Sequence, residues 1–315
     1  YESGWKPWDV NYGGFWEGGI HWSEVLANNG IDFLTDASTN NSPFFMYLAF
    51  NAPHDPRQSP QSFVDRYPLD RIEVPANFVP KYKYEEEMGC GPAVRDERLA
   101  PFPRNEYSVK VNRQEYYALI THMDEQIGRI LEVLDKTGLA DSTYVIFTAD
   151  HGLSVGHHGL IGKQNLYEHS TQVPFIIKGP DIKSDYTINT PIYLQDIMPT
   201  TLELAEVDIP SSVEFKSLVP LIRETNKNHY DYIYGGFRGL QRSITDGEWK
   251  LIHYTNGNIN RLYNITKDPN EMIDLALDKK HRKNLNDLKS KLVDLSQRLN
   301  DPIDYDNPMD SWEKN

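Results

Sequence analysis

The sequence predicts an α/β protein: a doubly wound mixed or parallel sheet flanked by helices, followed by a small C-terminal α+β subdomain of antiparallel sheet and helix. Three observations predict it. Two apolar runs without alternation, "PFFMYLAFNAPHDP" and "TYVIFTADHG", have the composition of strands buried on both faces. Between them, Tyr116, Ile120, Met123, Ile127, Ile130, Leu131 and Leu134 recur at spacings of three and four, the period of an amphipathic helix over Arg113 to Thr137. Beyond Leu221-Ile222 the pattern changes to short runs broken by Asp246-Gly247 and Asn256-Gly257, the mark of antiparallel strands and turns.

Taken in chain order, a Gly- and Trp-rich loop leads into a helix ending near Thr39, with Trp22, Val25, Leu26, Ile31 and Leu34 on its buried side. The first apolar run follows and closes in Ala-Pro-His. From Pro53 to about Asn112 the chain is rich in Pro, Tyr and mixed charge, a long irregular excursion of the kind that borders a substrate cleft. Gly138 is placed to cap the long helix. The strand Thr143 to Thr148 comes next, then a loop and the apolar run "VPFIIKGP". In a sheet built this way ligands bind at the C-terminal ends of the strands, where His54 and Asp150 fall. The last helix is expected from about Lys280 to Leu299, with Leu285, Leu288, Leu292 and Leu295 on one face, and the domain boundaries at 1–224 and 225–315.

Composition excludes several function classes. With 315 residues, 39% hydrophobic and 25% charged, the chain lies in the ordinary globular range. No window of about 18 apolar residues is present, so no membrane span is expected. A formal charge of −14 leaves no broad basic face for nucleic acid, and an anionic substrate needs a local positive pocket. Cys90 is the single cysteine, which excludes an internal disulfide. The chain starts at Tyr1, and "YESGWKPWDVNYGGFW" has no signal-peptide character; the expectation is that a segment upstream has been removed or is not part of this chain.

The chemistry concentrates in "TADHGLSVGHHGLIGKQNLYEHS". Asp150 and His151, delivered by a strand and released by Gly152, make a metal corner of carboxylate oxygen and imidazole nitrogen; the bland alternative is a turn cap beside a surface histidine. His157 and His158 are adjacent and point in different directions, so they do not make a zinc pair. Lys163 offers a compact point charge for an anionic group, or is a solvated surface lysine. His54, between two prolines at a strand end, is a candidate general acid or a turn histidine. His122 reads as a helix residue, and Glu168 with His169 as a structural pair.

Taken together, "PFFMYLAFNAPHDP", "YYALITHMDEQIGRILEVLDKTGLADSTYVIFTADHG", "GHHGLIGKQNLYEHSTQVPFIIKGP" and "GEWKLIHY...RLYNITKDPNEMIDLA" resemble the formylglycine-dependent sulfatase family of the alkaline phosphatase superfamily. The segments run in the family's order across nearly the whole chain. The resemblance implies an alkaline-phosphatase-like fold and hydrolysis of sulfate esters. It implies that Asp150 and His151 are two metal ligands, for Ca²⁺ in most members. The histidine at 151, where many members have Asn, brings Mn²⁺ or another divalent metal into play. It further implies that Lys163 contacts the sulfate, that His54 protonates the leaving group, and that His158 lies near the substrate.

The family's Cys-x-Pro-Ser-Arg nucleophile motif and its two other metal aspartates are not in this sequence. "CGPAVR" fails on spacing and order, so Cys90 reads as a loop residue. The nucleophile is therefore expected upstream, in the same gene product or a partner chain. The bacterial glycan-sulfatase likeness, with the aromatic excursion and "YGGFRGLQR", points to a sulfated oligo- or polysaccharide; Arg104, Arg238 and Arg242 are candidates to pair with a uronate or second sulfate, or else form surface salt bridges. The alternatives carried are a phosphonate or phosphate-ester hydrolase and an inactive sulfated-glycan-binding fragment. Periplasmic or secreted localisation is the matching expectation.

Overall fold

The computed structural model describes residues 4–40, 42–225, 228–303 and 305. It divides into two compact units, Tyr1–Pro80 with Leu99–Val145, and Lys81–Arg98 with Ile146–Asn315. The C-terminal sheet stands in one unit with 146–224 and with part of the excursion.

In the first unit, β1 (Trp16–Glu17) and β2 (Ile20–His21) form a hairpin over Gly18-Gly19. It feeds α1 (Trp22–Ala37), whose buried residues include Ala27, Gly30 and Leu34. Trp22 and Val25, expected on the buried side, are 45% and 37% exposed. Gly30 lies on the buried face, where Leu48 and Ile130 come close to the helix backbone. After α2 (Gln61–Val64) comes α3 (Glu106–Lys136), seven residues longer at its start than the periodicity indicated. The cause is a cap: the Asn105 side chain accepts the Ser108 N–H at 2.8 Å, satisfying one of the amide groups a helix start leaves open. Phe63 and Val64 pack on Ala118 of α3, and Ala27 and Leu34 on its Ile130 and Leu134.

Two buried imidazoles sit in this packing. His21 caps α1: its Nδ1 accepts the Ser23 N–H at 3.1 Å while its Nε2 donates to the Gln58 carbonyl at 2.9 Å. The His122 ring of α3 meets it edge-on at 4.5 Å, with Nε2 3.3 Å from Glu24 Oε1. Burial pushes both down to about 4, in His21 with help from His122.

Residues 43–50, expected as a strand buried on both faces, join no ladder among the described residues. Phe44, Met46, Leu48 and Phe50 pack into the core of α1 and α3, whereas Phe45 and Tyr47 are 72% and 81% exposed.

In the second unit, β3 (Val145–Thr148), whose first residue closes the first unit, pairs with β4 (Phe175–Lys178), and α4 (Glu168–Thr171) lies between them in sequence. Among the described residues that sheet has these two strands. α5 (Ile197–Leu204) and α6 (Val219–Ile222) lead to the predicted antiparallel sheet of β5 (Ile233–Phe237), β6 (Gln241–Thr245), β7 (Trp249–Tyr254) and β8 (Ile259–Asn264), ordered sequentially. Asp246 makes the β6–β7 turn by accepting the N–H groups of Glu248 and Trp249. α7 (Arg282–Arg298) lays Leu288 and Leu292 on Ile244, Leu251 and Leu262, as its leucine spacing predicts. Burying each such leucine contributes about 1.5–3 kcal/mol. No described helix is long and apolar enough to cross a membrane.

Candidate active site

The strand β3 ends at Thr148 and delivers Asp150 and His151 to the C-terminal side of its sheet. Gly152 is needed next: a Cβ there would lie 2.1 Å from the His169 carbonyl oxygen. The Asp150 side chain is 89% exposed, and its Oδ1 lies 3.9 Å from His151 Nε2. His151 Nδ1 sits 2.7 Å from the Gly152 carbonyl. A carbonyl only accepts, so Nδ1 donates there, and Nε2 is the nitrogen that faces Asp150. A backbone bond that fixes the tautomer in this way is how a ligating histidine is set. The donor set therefore fits two positions of a divalent cation's shell, one hard oxygen and one imidazole. Among the described residues no group of three or more His, Cys, Asp or Glu is placed to hold a metal, so the remaining ligands are not supplied there.

Downstream, the 154–165 loop folds back on itself through bonds from Ser154 to Gly162 and Gly156 to Leu160. His158 sits within it at φ 54, a left-handed conformation rare for a residue with a side chain. It is 7% exposed, stacked on Tyr167 at 4.0 Å, and burial with the neighbouring His157 lowers it to about 3. His158 is thus a neutral ring in a wall that includes Tyr82, Tyr167, Tyr254 and Tyr263, whose hydroxyls bond to one another. His169, pushed far down by burial, takes part in a bond with Ser154 Oγ at 3.0 Å, while Glu168, expected as its structural partner, pairs with Lys250 Nζ at 2.5 Å instead.

Lys163 emerges from the same loop, 22% exposed, with Nζ 3.1 Å from Asp96 Oδ2. Gly162 lies so close to Asp96 and Glu97 that a Cβ would meet both at 3.0 Å. Glu97, 1% exposed, accepts the backbone N–H groups of Ile161 and Gly162. Asp96 and Glu97 escaped the sequence reading; an Asp-Glu pair in a Pro-rich excursion carries no local signal, because its partners lie some 65 residues on.

The remaining candidates divide by burial. In the first unit, the His54 side chain is 43% exposed, with Nδ1 donating to the Asp55 carbonyl at 2.7 Å. Arg104, in the same unit, is 3% exposed, donates to the Ala100 and Pro101 carbonyls and stacks on Phe102. In the second unit, Arg242 is 3% exposed and grips Asp301 with Nε and a terminal nitrogen at 2.6 and 2.8 Å. Arg238 is exposed beside Phe237. Of the three arginines, the structure turns Arg104 and Arg242 inward to partners within the chain. The Cys90 thiol is buried and pushed far up by burial and Glu97, the opposite of an activated nucleophile.

The chain matches the sulfatase family over residues 5–207 and the C-terminal part of N-sulphoglucosamine sulphohydrolase over 156–298. It belongs to the sulfatase family. Its relatives include an arylsulfatase of Clostridium perfringens, 29% identical with 91% of this chain and 59% of the relative covered. Arylsulfatase K of Xenopus laevis is 29% identical over 91% of this chain and 56% of its own length. Among solved structures, a 2-O GAG sulfatase superposes with TM-score 0.70 at 24% identity, covering 90% of this chain and 65% of that one. That likeness gives the fold, which is alkaline-phosphatase-like with the C-terminal antiparallel sheet and helix. The chain spans between half and two thirds of the length of these relatives.

Proposed function

We propose that this chain forms part of a hydrolase of sulfate esters on a sulfated oligo- or polysaccharide. The observation that carries the reading is the Asp150-His151 corner, with Nε2 of the imidazole turned toward the carboxylate, in a chain matched by the sulfatase family over residues 5–207. In this reading Asp150 and His151 supply two ligands to a divalent cation, Ca²⁺ or another such as Mn²⁺. When bound, that ion offsets the negative charge of the sulfuryl oxygens. Lys163 places its ammonium against the same oxygens. His54 protonates the departing ester oxygen, its Nδ1–H fixed by the Asp55 carbonyl so that Nε2 is the nitrogen that carries the proton to be given. Attack comes from a formylglycine in a segment outside this chain; the greater length of the relatives and the buried, protonated Cys90 support that placement. The sugar character of the substrate rests on the GAG-sulfatase likeness and on exposed Arg238, which offers a cation to a uronate or a second sulfate. Periplasmic or extracellular action fits such a substrate.

The test is the protein expressed with its upstream segment and assayed on 4-nitrophenyl sulfate, 4-nitrophenyl phosphate and a sulfated oligosaccharide. Higher kcat/KM on the sulfate ester, with sulfate released from the oligosaccharide, is the expected result. Preference for the phosphate ester overturns it in favour of the phosphonate or phosphate hydrolase that a histidine at 151 also fits. Glycan binding without turnover overturns it in favour of a binding fragment.

A further inference from the structure

Lys163 does not stand alone. Within the second unit the Asp96 side chain, 7% exposed, lies 3.1 Å from Lys163 Nζ and accepts from Gln164 Nε2 at 2.7 Å and from an Arg95 guanidinium nitrogen at 2.9 Å. Burial raises the Asp96 carboxyl, but the bonds from Gln164 and Lys163 outweigh it and hold the group at about 2, so it is an anion at any working pH. Glu97 separately anchors the loop backbone through Ile161 and Gly162. Arg95, Asp96, Glu97 and Lys163 thus carry two positive and two negative charges, and the cluster is formally neutral although its lysine reaches the surface.

We propose that Asp96 is a specificity-determining residue, which cancels the charge of Lys163 and so tunes the anion site to esters bearing one negative charge. The inference rests on Lys163 being the anion contact in the function proposed above. A sulfate monoester carries a single negative charge, whereas a phosphate monoester near pH 8 carries two. Both present the same tripod of oxygens, so shape separates them poorly and charge is what remains to discriminate. The interaction energy scales with the product of charges: one unit of positive charge added to the site favours a dianion twice as strongly as a monoanion. Asp96 acts through Lys163, which makes it a positioning residue and not a catalytic one. Because Glu97 holds the loop independently, and Asn retains a carbonyl to accept from Gln164 and Lys163, Asp96→Asn removes the charge and leaves the local structure standing.

The experiment uses the protein with its upstream segment and the variants Asp96→Asn, Asp96→Glu, Lys163→Ala and the double Asp96→Asn/Lys163→Ala. Two ratios are measured: kcat/KM for 4-nitrophenyl phosphate against 4-nitrophenyl sulfate, and calorimetric affinity for inorganic sulfate, a dianion, against methyl sulfate, a monoanion. Asp96→Asn is expected to move both ratios toward the dianion by roughly tenfold, for a unit charge acting through a screened site. Asp96→Glu is expected to leave them near wild type, and Asp96→Asn to have almost no effect once Lys163 is Ala. Unchanged ratios in Asp96→Asn overturn the proposal, as does an equal shift in the Lys163→Ala background. An enzyme that hydrolyses neither ester counts against the proposed function, and the binding ratio still decides the role of Asp96. A purely structural Asp96 would lower melting temperature and leave both ratios unmoved.

Discussion

The pair of buried imidazoles between α1 and α3 makes the first unit acid-sensitive, and the size of the effect follows from the structure. His21 and His122 are 0% and 1% exposed and are held near 4, mainly by burial, whereas each would titrate near 6.5 in the unfolded chain. The folded values are depressed, so the unfolded state takes up protons first. Stability is complete above about pH 6.5 and is lost as pH falls from there toward 4. At pH 5 the loss is about 2 kcal/mol per ring and about 4 kcal/mol for the pair, a large part of the 5–15 kcal/mol that holds a typical domain together. A proton on His21 also enters at Nδ1, where it displaces the Ser23 amide and uncaps α1. The perturbation is His122→Gln, which keeps a side-chain donor toward Glu24 but does not titrate. Urea unfolding would be followed at pH 7 and pH 5 by tryptophan fluorescence, with Trp16 edge-on to His21 at 5.2 Å as a local reporter. The expected outcome is that the pH 7 to pH 5 loss shrinks by about 2 kcal/mol in the variant, whatever its stability at pH 7. An identical loss in wild type and variant would refute the reasoning.

Further predictions concern the site and the C-terminal sheet. Asp150→Ala is expected to abolish stoichiometric divalent-metal content, measured by elemental analysis, and EDTA should remove activity that Ca²⁺ or Mn²⁺ restores. His54→Ala should lower kcat/KM on an alkyl sulfate by roughly 10²–10⁴ and on 4-nitrophenyl sulfate far less, because a good leaving group needs no proton; equal losses on both would remove His54 from that role. Arg242→Ala leaves Asp301 without its two-pronged partner and should cost about 3–5 kcal/mol in thermal or chemical unfolding, with little change in KM for a small aryl sulfate.

What was legible in the sequence was local. The leucine spacing of α7, the Asp246-Gly247 turn and the three-and-four spacing of α3 are each decided within a few residues; α7 and the turn stand where the pattern put them, while α3 forms but leaves Leu131 40% exposed. The start of α3 was missed because Asn105 caps it from a stretch whose prolines and charges resemble loop. Arg104 and Arg242 illustrate the opposite limit. Their charge invites a ligand, but their partners are a nearby carbonyl at Ala100 and a carboxylate at Asp301, 59 residues away from Arg242, and only the folded chain brings the latter into reach. Asp150, His151 and Lys163 were read from motif, and the structure adds what motif could not: a fixed tautomer for His151 and a resident counter-ion for Lys163.

Residues 43–50 carry a practical consequence for anyone handling this polypeptide by itself. Half-buried and exposed apolar side chains alternate along them with no ladder among the described residues, and Phe45 and Tyr47 stand in solvent. That is the geometry from which strands of separate molecules pair. A net charge of −14 disperses molecules at long range but is screened within about 10 Å at ordinary salt, where hydrogen bonding along an open strand begins. A lysine at position 45 or 47 should therefore raise the solubility of the isolated chain, read as the protein concentration at which light scattering sets in.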